Sequence, residues 1–342
     1  MQIATIGIDI GKSSFHVVGL DARGAIVRRR RCSRNQLMRE LANLPPCLVG
    51  MEACCGAHHL GRRLATFGHT VRLIPPQFVK PFVKSQKNDL LDAEAIAEAV
   101  QRPTMRFVPL KTTDQLDLQA IHRVRTRLVR RPTAVINQLR AFLLERGVTV
   151  PVGRHALIER FPEVLDNPAF GLSPRMCRLL QQLRDEWRVL DQAIQEADHE
   201  VATLAHEDEA CRRLTQVPGI GPVTATALVA AIGNGAAFTK GRDLAAWLGL
   251  VPQQHSTGGK VTLRGITKRG NRYLRCLFIH GARAVCRHHR HRPHRLGRWI
   301  ASLEARAHPN IVVVALANKL ARTAWVVLQR EVSYDGRLFM SA

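Results

Sequence analysis

The sequence predicts a mixed α/β sheet domain followed by a long helical and strongly basic region. Three observations carry that expectation. Over the first hundred residues, short apolar runs alternate with turns and then with helix-length segments. In the middle, apolar residues recur at heptad spacing. Toward the end, acids vanish while arginines accumulate. The chain has 342 residues, 46% of them apolar, and 51 Lys+Arg against 27 Asp+Glu give a net charge of +24. That length and apolar content bury two cores, which excludes disorder as the main state.

The elements follow in order. A strand from Ala4 to Ile10, a second from Phe15 to Leu20, a turn at Asp21-Ala22-Arg23-Gly24 and a third strand from Ala25 to Arg31 form an antiparallel meander. Ser33-x-x-Gln36 has the form of a capping box opening a helix to Leu44, stopped by Pro45-Pro46. A strand from Cys47 to Glu52, a helix from Ala57 to Phe67, a strand from Thr70 to Ile74 and a helix beginning near Lys87 follow as β-α-β-α units.

From Met176 the apolar positions run Leu180, Leu183, Trp187, Leu190, Ile194, Ala197, Val201 and Leu204, the seam of a coiled coil. Asp114 to Glu145 reads as its partner, within the chain or across a dimer, with Pro132 expected to kink or break it. Val217-Pro218-Gly219-Ile220-Gly221-Pro222 then leads into an apolar helix from Val223 to Ile232. A Gly-x-Gly turn at a helix start frees backbone N–H groups for a phosphate, the pattern of a helix-hairpin-helix in which Gly219 and Gly221 meet the DNA backbone.

Between Asp243 and Glu304 there is no acid, while Lys260, Arg264, Lys268, Arg269, Arg272, Arg275 and further arginines accumulate. Such a run points to nucleic acid, because each neutralised phosphate releases a counterion. The histidine-rich segment from Cys286 to His294 reads as a DNA-facing loop rather than a zinc site. A membrane is not expected: no apolar run approaches the roughly 18 residues of a span, and the start has no signal-peptide form. Eight scattered cysteines give neither a disulfide framework nor a Cys-x-x-Cys zinc pair.

Two sets of residues suggest chemistry. Asp9 ends the first strand in Gly7-Ile8-Asp9-Ile10-Gly11, and Glu52 ends the fourth; on neighbouring parallel strands both would face one edge. Asp89 and Asp92 lie one helical turn apart. Four converging carboxylates repel unless they hold a cation, and hard oxygen ligands suit Mg²⁺ or Mn²⁺ for phosphodiester chemistry. Taken separately, Asp9 reads as a turn residue and the Asp-x-x-Asp pair as favourable helix N-terminal charge; Glu94 and Glu98 read as surface charges. Ser256, in His255-Ser256-Thr257-Gly258-Gly259-Lys260, is a candidate nucleophile on a flexible loop. Its glycines leave room for a phosphodiester, and Lys260, Arg264, Lys268 and Arg269 are placed to neutralise the charge that develops on phosphorus.

These residues resemble a known family, the transposases of the insertion sequence one hundred and ten family, DEDD/serine recombinases guided by a bridge RNA. The likeness spans nearly the whole chain. It rests on Gly7-Ile8-Asp9-Ile10-Gly11-Lys12, Gly50-Met51-Glu52-Ala53-Cys54, the run from Lys87 to Ala97, Val217 to Pro222, Leu248 to Pro252, His255 to Lys260 and Gly265 to Asn271. The resemblance implies a RuvC-like, RNase H-type catalytic domain over residues 1–110, a coiled-coil linker over 111–208 and a mainly helical transposase domain over 209–342. It implies that Asp9, Glu52, Asp89 and Asp92 bind Mg²⁺ and that Ser256 forms a covalent bond to DNA. Its implied partners are the DNA of element ends and target, a non-coding bridge RNA, and further copies in a dimer or tetramer, where the acidic site of one subunit works with the serine domain of another. The implied setting is the bacterial cytoplasm at the nucleoid. The rival reading is a metal-dependent junction resolvase or nuclease without serine chemistry.

Overall fold

The computed structural model describes residues 2–84, 88–289 and 295–335. They form two compact units, Met1–Thr112 and Thr113–Ala342.

The first unit is built on a five-stranded sheet. Strands β1 (Thr5–Ile10), β2 (Ser14–Leu20) and β3 (Ile26–Ser33) make the antiparallel meander. Helix α1 (Arg34–Ala42), β4 (Leu48–Glu52), α2 (Ala57–Ala65), β5 (Thr70–Ile74), the short α3 (Pro76–Val79) and α4 (Asp89–Ala99) complete it. The strand order is β3-β2-β1-β4-β5, with β4 parallel to β1 and β5 parallel to β4. The capping box forms as the sequence predicts. The Gln36 N–H donates to Ser33 Oγ and the Ser33 N–H donates to Gln36 Oε1. Strand alternation sends Ile6, Ile8, Val49 and Met51 to one face, where Leu37, Leu41, Leu60 and Leu64 of α1 and α2 cover them. Val18 and Leu20 face the other way, against Ala93 and Ala97 of α4.

Lys87, the expected start of that last helix, lies outside the described residues, and α4 begins at Asp89. Glu94 corrects a reading. It is a buried residue on α4 rather than a surface charge, 2.7 Å from Arg29 and 3.0 Å from Lys84. Burial alone would raise its pKa, but those two cations hold it below the usual carboxylate value.

The second unit contains α5 (Thr113–Leu144), α6 (Arg154–Asp166), α7 (Pro174–Glu207), α8 (Glu209–Thr215), α9 (Pro222–Ile232), α10 (Gly241–Trp247), a hairpin of β6 (Pro252–Thr257) and β7 (Lys260–Ile266), α11 (Arg272–His289), α12 (Arg295–Glu304) and α13 (Pro309–Arg330). Helices α5 and α7 pair with each other inside the chain. At one end α6 joins them, so that Leu139 and Leu143 of α5, Leu157 and Phe161 of α6, and Leu180 and Trp187 of α7 share one core. Along α7 the buried positions Leu180, Trp187, Leu190 and Val201 keep the heptad, and only at the end does Ala205 replace Leu204, the drift of a straight 3.6-residue helix against a 3.5 repeat.

Pro132 does not break α5, contrary to expectation. It is buried, and packing of Val135, Leu139 and Leu143 in the shared core compensates for the one hydrogen bond the ring removes. At the other end, His122 of α5 bridges Thr226 of α9 at 3.0 Å and Tyr273 of α11 at 3.1 Å. Burial pushes its pKa down to about 4, so the ring is neutral and acts as a structural link.

By length and composition alone helix α13 could cross a membrane. Its apolar residues are instead core, buried with those of α8, α9, α10 and α11. Of the histidine-rich segment, residues 290–294 lie outside the described residues.

Candidate active site

Pairing of β1 with β4 ends at Ile8 opposite Met51, so the next residues on the two parallel strands are Asp9 and Glu52. The carboxyl ends of parallel strands are where helix N-termini arrive in α/β folds. Here the arriving helix is α4, whose first turn carries Asp89 and Asp92 and whose N-cap, Asn88, accepts from the Leu90 N–H at 2.9 Å.

What sets the approach is Gly7. A Cβ there would sit 2.1 Å from the Ala93 carbonyl oxygen, and one at Gly50 would sit 2.8 Å from Val100 Cβ. The helix backbone therefore lies directly on the sheet, and its N-terminus reaches the strand ends. The group that this glycine lets approach Asp9 is the helix itself.

The four carboxylates feel one another. Burial, then Asp89 and Asp92, raise the pKa of Asp9; burial, then Asp9 and Asp92, raise that of Glu52. One group that the sequence reading did not single out joins them. His16 on β2 pairs in register with Asp9, and its Nδ1 lies 3.8 Å from Asp9 Oδ2 and 3.6 Å from Asp89 Oδ2. That nitrogen is buried and has no hydrogen-bond partner. One ligand atom each of Asp9, His16 and Asp89 fall within 4.8 Å of one another, a spacing that a single cation can bridge. The signal for His16 was present in the sequence: in Ser14-Phe15-His16-Val17-Val18 a histidine interrupts an otherwise apolar run.

Ser256 lies in the second unit, on β6. The expected flexible loop is an ordered hairpin. Thr257 pairs with Lys260 around Gly258 and Gly259, whose φ angles of 53° and 77° are those of a two-residue type I′ turn. Ser256 Oγ accepts a hydrogen bond from Gln254 Nε2 at 2.8 Å. Residues two apart on a strand share a face, so His255 points to the other side. An amide cannot take the hydroxyl proton, so Gln254 orients the serine without activating it.

Lys260, Arg264, Lys268, Arg269 and Arg272 are exposed along β7 and the approach to α11. Arg275 is different. It is buried and donates to the carbonyls of Leu248 and Arg269 at 2.8 and 2.7 Å, fixing the segment that presents its neighbours. In the turn from α8 to α9 the two glycines have separate tasks. Gly219, at φ 86°, lies against Gly281 of α11, where a Cβ would meet Val285 Cγ2 at 2.7 Å. Gly221 is exposed at the start of α9 with open space around it.

Two family models match the chain, the first across the sheet-bearing unit and into α5, the second from α8 to α12. A DEDD-type model described as a transposase matches residues 6–146, and one described as the transposase IS116/IS110/IS902 family matches residues 211–296. The chain is 46% identical to the transposase for insertion sequence element IS1328 of Yersinia enterocolitica, over 95% of this chain and 97% of that one. The chain belongs to the IS110 family of transposases.

A probable family 20 transposase of Pseudomonas aeruginosa is also 46% identical, covering 98% of this chain and 99% of its own. The transposase for insertion sequence element IS1111A of Coxiella burnetii is 43% identical, over 97% and 92%. The transposase is thus a DNA-cleaving and DNA-rejoining enzyme. All four carboxylates fall inside the DEDD match, and Ser256 inside the other. A DEDD site depends on divalent metal, and the residues present fit one: crowded carboxylates with raised pKa values and a buried, unpartnered imidazole nitrogen.

Proposed function

We propose that this transposase excises and inserts its insertion sequence through a covalent serine–DNA intermediate, guided by a bridge RNA. In this reading Asp9, Glu52, Asp89 and Asp92 hold Mg²⁺ or Mn²⁺, and Ser256 is the nucleophile. The convergence of four carboxylates at one sheet edge carries the proposal, since an edge so charged is a cost to the fold that only a cation offsets. A bound divalent cation supplies Lewis-acid polarisation and neutralises charge on the phosphodiester.

The chain's own residues do the rest. Ser256 Oγ attacks phosphorus; the Oγ–P bond forms as the ester bond to one deoxyribose oxygen breaks, and the serine proton ends on that departing oxygen. Religation reverses the step, with the hydroxyl of another strand displacing Ser256. Because ester energy is conserved, no nucleotide cofactor is needed. Lys260, Arg264, Lys268, Arg269 and Arg272 neutralise backbone phosphates around the hairpin. The α8–α9 turn acts as a helix-hairpin-helix, in which Gly221 offers N–H groups to phosphate while Gly219 holds the turn in place.

The mixed sheet with helices on both faces supports a RuvC-like fold for residues 1–110. Residues 111–208 then act as a coiled-coil linker and 209–342 as the serine-bearing domain, in a homodimer or tetramer at the bacterial nucleoid in the cytoplasm. The test is to trap protein on a nicked suicide substrate carrying the element end. The wild type yields a covalent adduct and Ser256→Ala yields none and does not cut. Undiminished cutting by Ser256→Ala would establish the metal-dependent nuclease reading instead.

A further inference from the structure

In the second unit, α10 and one face of α13 enclose a cavity of about 650 Å³, within the range of about 300–1,000 Å³ that small-ligand pockets occupy. Lys240 and Arg242 line it from the start of α10, and Lys319, Arg322, Thr323 and Arg330 line it from α13. Among the described residues no carboxylate lines it. The α13 residues fall at i, i+3, i+4 and i+11, one helical face.

Close approach of the two helices creates the concavity. A Cβ on Gly241 would lie 3.0 Å from the Arg322 carbonyl oxygen, so only glycine lets the first turn of α10 rest on the α13 backbone. That contact brings two sets of cations together that would otherwise repel. Lys319 is the most confined of them. It is 8% exposed, and its ammonium lies 5.2 Å from the centre of the Trp299 ring. Burial, then the nearby Arg322 and Arg295, lower its pKa. Five cations, four of them grouped around the largely desolvated ammonium of Lys319, form an anion site.

We propose that this cavity binds consecutive phosphate groups of a polynucleotide backbone, as a contact surface separate from the serine hairpin and the α8–α9 turn. Its length selects the source of the phosphate. From Lys319 to Arg330 the helix advances about 16 Å at roughly 1.5 Å per residue. A free phosphate or pyrophosphate leaves most of that row unmatched, whereas a strand with about 3.4 Å of axial rise per phosphate presents several in succession. None of the cations nominated from the sequence near Ser256 takes part. The inference rests on the enzyme's use of nucleic acid and not on serine chemistry, so Asp9→Asn and Ser256→Ala should leave it intact.

The full-length protein is titrated, by fluorescence anisotropy and over a range of salt, against a labelled DNA duplex and a labelled single-stranded RNA. In Arg322→Gln/Arg330→Gln the affinity for at least one of them falls tenfold or more at about 0.1 M salt, and the salt slope flattens by roughly 0.9 per lost duplex contact or 0.7 per single-strand contact. Arg175→Gln/Arg178→Gln, which removes the same charge from exposed positions on α7, changes both far less. Should the α13 variant not fold, Lys240→Gln/Arg242→Gln tests the opposite wall, where both side chains are exposed. The proposal is overturned if the cavity variants match the α7 control in affinity and slope. It is equally overturned if pyrophosphate binding is what they lose while nucleic-acid binding is unchanged.

Discussion

Asp9 sits where two parallel strands end beneath a helix that touches the sheet backbone, whereas Ser256 sits on a hairpin in which every residue but Ile266 is exposed. The first position is held by packing that tolerates no added atom. The second is held by a short ladder, a glycine turn and one hydrogen bond from Gln254. The difference follows from what each place must do. Carboxylates that repel one another stay together only if the scaffold over-determines them, so stability and function are in conflict there. An exposed serine in the proposed role of nucleophile would impose no such cost and would reach a bulky duplex without opening the core. Substitutions should therefore separate: at Ser256 they change activity and leave stability alone, and at the sheet edge they change both.

The largest effect should come from Ser256→Ala. Strand transfer should fall on the order of 10⁶-fold, the scale seen when a serine nucleophile is removed from a hydrolase. Because the residue is exposed and Gln254 then faces water, unfolding should stay within about 0.5 kcal/mol of wild type. A marked loss of stability would mean that the hairpin is part of the core after all.

Asp9→Asn should also abolish cleavage, but with the opposite sign on the metal-free fold. Removing one of the mutually repelling carboxylates should raise Tm in chelator. In wild type, Mg²⁺ at about 100 times its Kd should add about 2.7 kcal/mol. That increment should shrink sharply in Asp9→Asn, and an undiminished increment would place the cation elsewhere. His16→Gln, examined in the same way, shows how much of the increment the imidazole contributes.

Gly7→Ala should come next. A Cβ at 2.1 Å from the Ala93 carbonyl forces α4 off the sheet, at a cost of about 1–3 kcal/mol or more. Asp89 and Asp92 move with the helix, so Mg²⁺ affinity should fall in a variant whose carboxylates are all intact. Gly258→Ala on the hairpin is the matched contrast. Its cost comes from backbone strain at positive φ alone, and no metal affinity changes with it.

The same contrast explains what could be read without coordinates. Thr70–Ile74 and the Ser33/Gln36 capping box were legible because local chemistry decides them. The placement of Asp9 and Glu52 was legible because a carboxylate at the end of an apolar strand is costly and therefore informative, and that of Asp89 and Asp92 because a one-turn spacing puts both on one side of a helix start. His16 showed only as a histidine interrupting an apolar run, because its significance depends on antiparallel register with Asp9, which no local pattern encodes. The serine hairpin was missed because strands exposed on both faces, such as Pro252–Thr257, carry no apolar alternation. Only the Gly258-Gly259 pair hinted at a two-residue turn. Pro132 misled for the complementary reason: a local rule was outweighed by a shared core assembled from α5, α6 and α7.

The smallest effect, and the sharpest test of the sheet-edge side, is the pH dependence of stability without metal. Asp9 and Glu52 have folded-state pKa values raised above the ordinary 3.8 and 4.5, mainly by burial and then by the other carboxylates. An acid that protonates more readily folded than unfolded makes the folded state bind more protons as pH falls. Metal-free protein should thus gain stability as pH drops through those raised values, and the gain should stop once the unfolded-state acids also protonate. Glu94 acts in the reverse sense, because the Lys84 and Arg29 contacts that lower its pKa are lost as it protonates below the ordinary value. Tm in chelator should therefore rise and then fall on acidification, and the rising limb should be weaker in Asp9→Asn. With saturating Mg²⁺ the rising limb should disappear, since protons then compete with a cation that the carboxylates already hold. Ser256→Ala should trace the wild-type curve throughout. A flat curve for the wild type in chelator would mean that neither burial nor the neighbouring carboxylates raise these acids, and the contrast between the two sites would collapse.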